Sequence, residues 1–361
     1  RHGARALVRS GAPSGALDEE AIDHYFHFLW VPEPRTPLAD VRKLDAGHRM
    51  VVETAPWRVR ISRWWNPEDA PPLERDPAAT VRAMFEEVAP LVVRSDVPVG
   101  VALSGGLDSS TVAALAAPHC PGLVAFSVGY EGRPPCDERA DAAQLAADLA
   151  IPLVEIECRT ADVVESFPHL CRAKDDPIAD ISGFGYWALM RTAREHDVPV
   201  LLLGQGGDEL FWGYGWPQEG LRQTLRKQQA LARGRFPLHE YVRVEAPPRL
   251  SPWGLRTWWQ RRFGWADGLA ERARDMRSPA GQFVAYDINQ HFRQARAMMA
   301  QVYGPAMQRP RQPAESWFTF DHTPDRADIR MTTLMTDLFL REDGIAQSDR
   351  LGMDASVEVR L

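Results

Sequence analysis

The chain has 361 residues, 45% of them hydrophobic and 25% charged, with a net charge of −7, enough apolar content to bury at least one substantial core. No apolar run reaches transmembrane length and the first residues, RHGARALVRSGAPSG, carry no apolar signal core, so the sequence reads as cytoplasmic, with no membrane partner. Cys120, Cys136, Cys158 and Cys171 show no CxxC spacing and have no histidine partners at metal-ligand spacing, which points to plain thiols rather than zinc or disulfides.

In chain order, residues 1 to 75 read as short strands and a Pro-rich connector ending at Trp64-Trp65-Asn66-Pro67. From 76 to about 215, strands and helices alternate. Helices are predicted over Thr80 to Arg94, Asp137 to Leu149 and Gly183 to His196, and strands over Val99 to Leu103, Leu123 to Val128, Leu153 to Glu157 and Val198 to Leu203. This alternation predicts an α/β fold, a doubly wound parallel sheet covered on both faces, with a helical C-terminal extension. Residues 216–325 change character: they are helical by composition, punctuated by proline, rich in arginine, and carry Trp253, Trp258, Trp259 and Trp265. Arginine interleaved with tryptophan suits a polyanion, but a solvated helical lid whose tryptophans pack on the core is the preferred reading, and no nucleic-acid partner is expected. Further on, Met331, Leu334, Met335, Leu338 and Phe339 recur at helical spacing, as a packed face does.

The run VPVGVALSGGLDSSTVAALA, Val97 to Ala116, carries the chemistry. An apolar strand breaks at Ser104-Gly105-Gly106 and restarts as an Ala-rich helix. Glycines there let backbone N–H groups approach an anion, Ser104, Ser109 and Ser110 add hydroxyls, and the helix start adds its positive dipole end. Asp108 is out of place beside a phosphate: two such charges ~4 Å apart cost about 4 kcal/mol at an effective dielectric of ~20 unless a cation lies between them. The loop therefore implies Mg²⁺. A Walker A loop, a Rossmann turn and a nucleophile elbow are all excluded by spelling.

A second strand-to-turn run, VPVLLLGQGGDELFWGY from Val198 to Tyr214, places Asp208 and Glu209 after another glycine-rich break. In an open parallel sheet the ligand crevice lies beyond the carboxyl ends of the strands, so Asp108 and Asp208 can converge on one Mg²⁺-pyrophosphate.

The first turn resembles the SGGxDSS loop of the ATP pyrophosphatase (PP-loop) enzymes. The second resembles SGEGSDELFGGY of the glutamine-dependent asparagine synthetases, and DRLGMDASVEVR, Asp349 to Arg360, resembles that family's DRxSMAxSLEVR. The resemblance runs from about Tyr25 to the last residue and takes in LWVPEPRTPLADVRKLDAGHRM as a linker. It implies that residues 1–75 are the remnant of an amidotransferase domain with its linker and that 76–361 form the synthetase domain, including the basic helical region. It also implies truncation at both ends, since the glutaminase cysteine and a C-terminal catalytic lysine are missing; Lys43, Lys174 and Lys227 do not match that lysine.

Carried over residue by residue, the resemblance implies ATP contacts from Leu103, Ser104, Gly105, Gly106, Asp108, Ser109, Ser110, Ser127, Val128, Leu203, Gly204 and Gly206. It implies metal ligation by Asp108 and Asp208, and acceptor contacts from Asp180 and Ser182 in DDPIADIS, Glu209, Glu358 and Arg360. The implied reaction spends ATP to adenylate a carboxylate, releases pyrophosphate, and lets glutamine-derived ammonia displace AMP. Aspartate is the default acceptor, small molecules are the expected partners, and a homodimer is the expected assembly. One position departs: the family's glutamate, thought to help deprotonate the attacking ammonium, is Gln205 here, and an amide takes no proton at neutral pH. Three other readings stay open: the same chemistry on a uronic acid or a peptide side chain, favoured by Gln205 and the arginine-rich block; a tRNA-modifying PP-loop enzyme that would use that block on RNA, against which the GQGGDELF turn argues; and a non-catalytic nucleotide-binding homologue, suggested by the missing lysine.

Overall fold

The computed structural model describes residues 3–71, 73–74, 76–233, 282–283, 301–308, 319–320 and 326–361. Two compact units emerge, Arg1–Gly213 with Met335–Leu361, and Tyr214–Leu334.

The first unit is built on a five-stranded, all-parallel sheet. Its strands are β3 (Val99–Ala102), β4 (Val124–Tyr130), β5 (Leu153–Cys158), β6 (Val200–Leu202) and β9 (Glu358–Arg360), in the order β5-β4-β3-β6-β9. The central strands are short and apolar because both of their faces are covered. On one face Val101 and Leu103 pack with Ala113 and Ala116 of α4 (Leu107–Ala116) and with Ala142 and Ala146 of α5 (Arg139–Asp148). On the other, Phe126 and Leu201 pack with Leu189, Met190 and Ala193 of α7 (Gly183–Glu195). Gly100 lets this second face close, since a Cβ there would stand 2.8 Å from the Phe126 ring and 2.9 Å from Val198.

The chain runs outward from β3 through β4 to β5, then returns across the sheet to β6 on the other side of β3. The β3–β6 junction is therefore the topological switch point, where adjacent connections diverge and a crevice opens beyond the strand ends. Both glycine-rich turns leave the sheet at that point.

The remaining elements show where sequence patterning was insufficient. In place of short strands alone, residues 1–75 form two helices, α1 (Ala4–Ser10) and α2 (Glu19–Phe28), followed by one antiparallel hairpin, β1 (His48–Thr54) with β2 (Trp57–Arg63). Helix α2 is set by its start: Asp18 accepts from the N–H groups of Glu20 and Ala21 at 3.0 and 3.2 Å, and Glu19 and Glu20 lie at the positive end of the helix dipole. Helix α3 (Pro77–Val92) starts three residues before the predicted point, because Asp76 caps it and Pro77 opens it. Helix α6 (Thr160–Ala173) was not predicted.

The C-terminal segment runs as α-helix Ala327–Met335, π-helix Thr336–Ile345 and α-helix Ala346–Ala355 before β9. Met331, Leu334, Met335 and Leu338 are buried along it. Elsewhere in the second unit the described elements are α9 (Gly215–Ala232), the short pair β7 (Gln282–Phe283) and β8 (Thr319–Phe320), and a 3-10 turn at Pro305–Gln308. The four tryptophans singled out in the basic region lie outside the described residues. All four cysteines are free thiols, and no helix among the described residues is long and apolar enough to cross a membrane.

Candidate functional site at the switch point

The first turn is braced from within. Ser104 N–H donates to Ser109 Oγ (3.1 Å), Gly106 N–H donates to Ser104 Oγ (3.2 Å), and Ser109 Oγ donates to the Gly106 carbonyl (3.2 Å). The Ser104 and Ser109 hydroxyls therefore hold the shape of the loop. Gly105 takes φ +86°, and a Cβ on it would meet Cβ of Asp141 at 2.8 Å, so the loop lies directly against the start of α5. Residues 107–109, the first turn of α4, present N–H groups that have no acceptor within the helix.

The second turn locks onto the first. A Cβ on Gly204 would stand 2.7 Å from the amide nitrogen of Ser109, so the two backbones are in contact. Gly206 takes φ +94° and starts the short helix α8 (Gly207–Phe211). The backbone N–H of Asp208 donates to the Asp108 carboxylate, yet burial and the nearby Asp208 charge together raise the Asp108 pKa above its ordinary value. Asp208 Oδ1 lies against Gly213, where a Cβ would come within 1.8 Å. Glu209 is buried on α8.

Beside these turns is a polar wall that no single motif announces. Gln205 Nε2 donates to the Tyr186 hydroxyl at 2.7 Å, and Ser348 Oγ donates to Gln205 Oε1 at 3.2 Å. Ser182 donates to Asp180 through both its N–H (2.9 Å) and its Oγ (2.6 Å). Burial works to raise the Asp180 pKa, but these bonds bring it below the ordinary value. Asp343, carried by the π-helical stretch, is hydrogen-bonded to Asp180, and burial with the Asp180 charge pushes its pKa up to about 7. Gln347 Nε2 donates to Asp343 Oδ1 at 2.6 Å. Lys174 is buried, its ammonium donating to the carbonyls of Ile178 (3.2 Å) and Asp180 (2.7 Å), and burial lowers its pKa.

Among the residues singled out from sequence, the structure thus brings together 104–110 with 204–208, and Asp180 with Ser182. Ser127 and Val128 lie on β4, beside β3, and Ser127 Oγ is buried with no hydrogen-bond partner. Leu103 and Leu203 are core residues at the ends of β3 and β6. Glu358 and Arg360 are not drawn to the turns. As part of edge strand β9, Arg360 spends its guanidinium on Glu358 (2.8 Å) and on the carbonyls of Val92 (2.8 Å) and Arg94 (2.6 Å). Sequence reasoning missed Tyr186, Asp343, Gln347 and Ser348. A usable signal existed for two of them: Tyr186 lies one helical turn beyond Ser182, and Ser348 directly precedes the DRLGM motif.

The fold and site define a doubly wound α/β protein that gathers two glycine-rich turns and a carboxylate pair at its switch point. The family model for asparagine synthase matches residues 80–361, and the chain belongs to that family. It is 33% identical over 203 residues to the putative asparagine synthetase (glutamine-hydrolyzing) of Mycobacterium bovis, covering 55% of this chain and 31% of that protein. Against asparagine synthetase (glutamine-hydrolyzing) 1 of Bacillus subtilis the identity is 32% over 208 residues, covering 57% and 32% respectively. The chain therefore spans about a third of these curated relatives. Among solved structures, the glutamine-dependent NAD⁺ synthetase of Acinetobacter baumannii aligns over 44% of this chain and 32% of its own, with TM-score 0.30 and 22% identity.

Proposed function

We propose that the chain is the synthetase part of an ATP- and Mg²⁺-dependent ligase that adenylates a carboxylate and forms an amide, with aspartate as default acceptor and ammonia derived from glutamine. The observation that carries this reading is the contact of the two switch-point turns, Gly204 against Ser109, which sets Asp108 beside Asp208. Two carboxylates set side by side at a mouth rich in N–H groups, with the Asp208 charge helping to raise the Asp108 pKa, suit a divalent cation and a polyphosphate together. Asp108 and Asp208 are two oxygen ligands, so a cation held there would be completed by phosphate oxygens. The Ser127 Oγ, which has no hydrogen-bond partner among the described residues, fits a nucleotide as well, since a buried hydroxyl left so is a natural contact for a bound polar ligand.

In this reading an acceptor oxygen bonds to the α phosphorus, the bridging oxygen leaves with pyrophosphate, and ammonia then bonds to the acyl carbon as AMP leaves. Asp108 and Asp208 would hold Mg²⁺, which when bound neutralises charge developing on the departing pyrophosphate. The N–H groups of 107–109 and of the 204–207 turn supply fixed donors where that charge grows. Gln205 orients but takes no proton, so ammonium must lose its proton to another group or to water.

Gln205 also favours a second reading, the same adenylation on a larger acid such as a uronic acid or a peptide side chain. Both are tested by exchange of labelled pyrophosphate into ATP in the presence of a panel of acids. Exchange stimulated by aspartate supports the default, exchange stimulated only by another acid supports the second reading, and exchange with none refutes both.

A further inference from the structure

We propose that Tyr186 is a specificity-determining residue of the crevice, whose phenolic proton is donated to the carboxylate acceptor. The inference rests on the ligase reading above and deepens it.

Tyr186 is half-buried on α7 and reaches the second turn, where its oxygen accepts from Gln205 Nε2 at 2.7 Å. Gln205 Oε1 lies 3.2 Å from Ser348 Oγ, whose single hydrogen is shared with the Ile345 carbonyl at 3.1 Å. With Gln205 Nε2 donating to its oxygen, the phenolic proton of Tyr186 is directed away from Gln205. Among the described residues none accepts it. Burial raises the Tyr186 pKa above its ordinary value, so the phenol remains a donor at neutral pH.

A donor with no acceptor among the described residues, next to the Gly204–Gly207 turn, is a ready partner for a ligand oxygen. A site built to hydrogen-bond its substrate also discriminates strongly against a ligand that cannot return the bond, since the site's own polar group is then left unpaired. The neutral amide at 205 supplies the donor to the Tyr186 oxygen in this arrangement. A carboxylate there would accept from both Ser348 and Tyr186, turning the phenolic proton inward and withdrawing it from the crevice. Gln205 is thereby explained as the residue that points Tyr186 at the acceptor.

The test uses acid-dependent exchange of labelled pyrophosphate into ATP by the full-length protein. The acids are aspartate, glutamate, glucuronate and short peptides containing Asp or Glu, followed by work on the best of them. In Tyr186→Phe the KM for the acid should rise about tenfold, as expected for losing a hydrogen bond to a charged group, while the KM for ATP and calorimetric Mg-ATP affinity stay within about twofold. Gln205→Glu should raise the acid KM in the same way, and the double variant should be little worse than either single one. A wild-type acid KM in Tyr186→Phe overturns the proposal, and so does a parallel loss of Mg-ATP affinity, which would make the residue structural. Exchange with no acid by a wild-type protein that still binds Mg-ATP overturns the ligase reading and this assignment with it.

Discussion

A Cβ on Gly207 would stand 2.2 Å from Oδ2 of Asp108, so the second turn closes over the carboxylate of the first only because residue 207 has no side chain. Gly204 makes a harder version of the same contact, against the backbone of Ser109. The two alanine variants should therefore differ. Gly207→Ala meets the end of a flexible side chain, so Asp108 swings aside; Mg-ATP affinity should fall in calorimetry while stability changes by less than about 1 kcal/mol. Gly204→Ala meets backbone that cannot rotate away and should cost about 1–3 kcal/mol in urea unfolding as well.

Lys43 ties the connector after α2 to two distant segments, its Nζ lying 3.1 Å from Asp176 and 3.0 Å from Glu342, both nearly buried. Lys43→Met would remove the shared cation, but Asp176 keeps Arg350 and Glu342 keeps Arg341, so stability should fall by about 1–3 kcal/mol, below the full cost of an unpaired buried charge. Lys43→Arg should retain most of that stability. Urea midpoints at unchanged m-value check both.

Two buried groups give opposite pH dependences. Burial lowers the His24 pKa from 6.5 to about 4, so between those values the unfolded chain takes up a proton that the folded protein refuses, and stability rises with pH. Asp343, pushed from 3.8 up to about 7, keeps a proton in the folded state that the unfolded chain has released, so its contribution falls as pH rises across that range. In the shared window the two slopes oppose. Relative to wild type, Asp343→Asn should make stability rise more steeply between pH 5 and 6, and His24→Phe should make it fall, each by up to about 1 kcal/mol per pH unit after solvent screening. Urea unfolding at a series of pH values measures these slopes.

Ser127 carries a hydroxyl in the middle of the sheet that nothing in the described protein satisfies. Ser127→Ala should leave stability unchanged or raise it by about 1 kcal/mol, because an unpaired buried hydroxyl is removed, and should weaken nucleotide binding by a similar amount. Thermal melts with and without Mg-ATP separate the two effects: the variant should melt no lower than wild type alone, and gain less from the nucleotide.

The sheet from β3 to β6 was legible because β3, β4 and β6 are apolar runs and β5 alternates apolar residues with Glu155 and Glu157, and the two motif turns mark the strand ends that flank the switch point. The fifth strand was not legible. At three residues, Glu358–Arg360 has no pattern of its own and exists through its parallel pairing with β6, which is also why Arg360 points at the carbonyls of Val92 and Arg94. Helix α2 carried a readable signal in Asp18-Glu19-Glu20 that was outweighed by the prolines around it. The π-helical stretch that carries Glu342 and Asp343 has the apolar spacing of an ordinary helix, so its wider turn is a tertiary outcome. The contacts of Gln205 lie 19 and 143 residues away in sequence, on α7 and on the C-terminal helix, and only folding brings those three segments together. Ser104 and Ser109 add what the motif did not announce: besides suiting a phosphate, their hydroxyls brace the turn.

If, as proposed, the two switch-point turns hold one Mg²⁺-nucleotide between Asp108 and Asp208, calorimetric titration of Mg-ATP into wild type, Asp108→Asn and Asp208→Asn will register the loss of either carboxylate. Each variant should keep its fold and lose about 1–3 kcal/mol of Mg-ATP binding, the cost of one charge-assisted ligand. Wild-type Mg-ATP affinity in both variants would contradict the proposal.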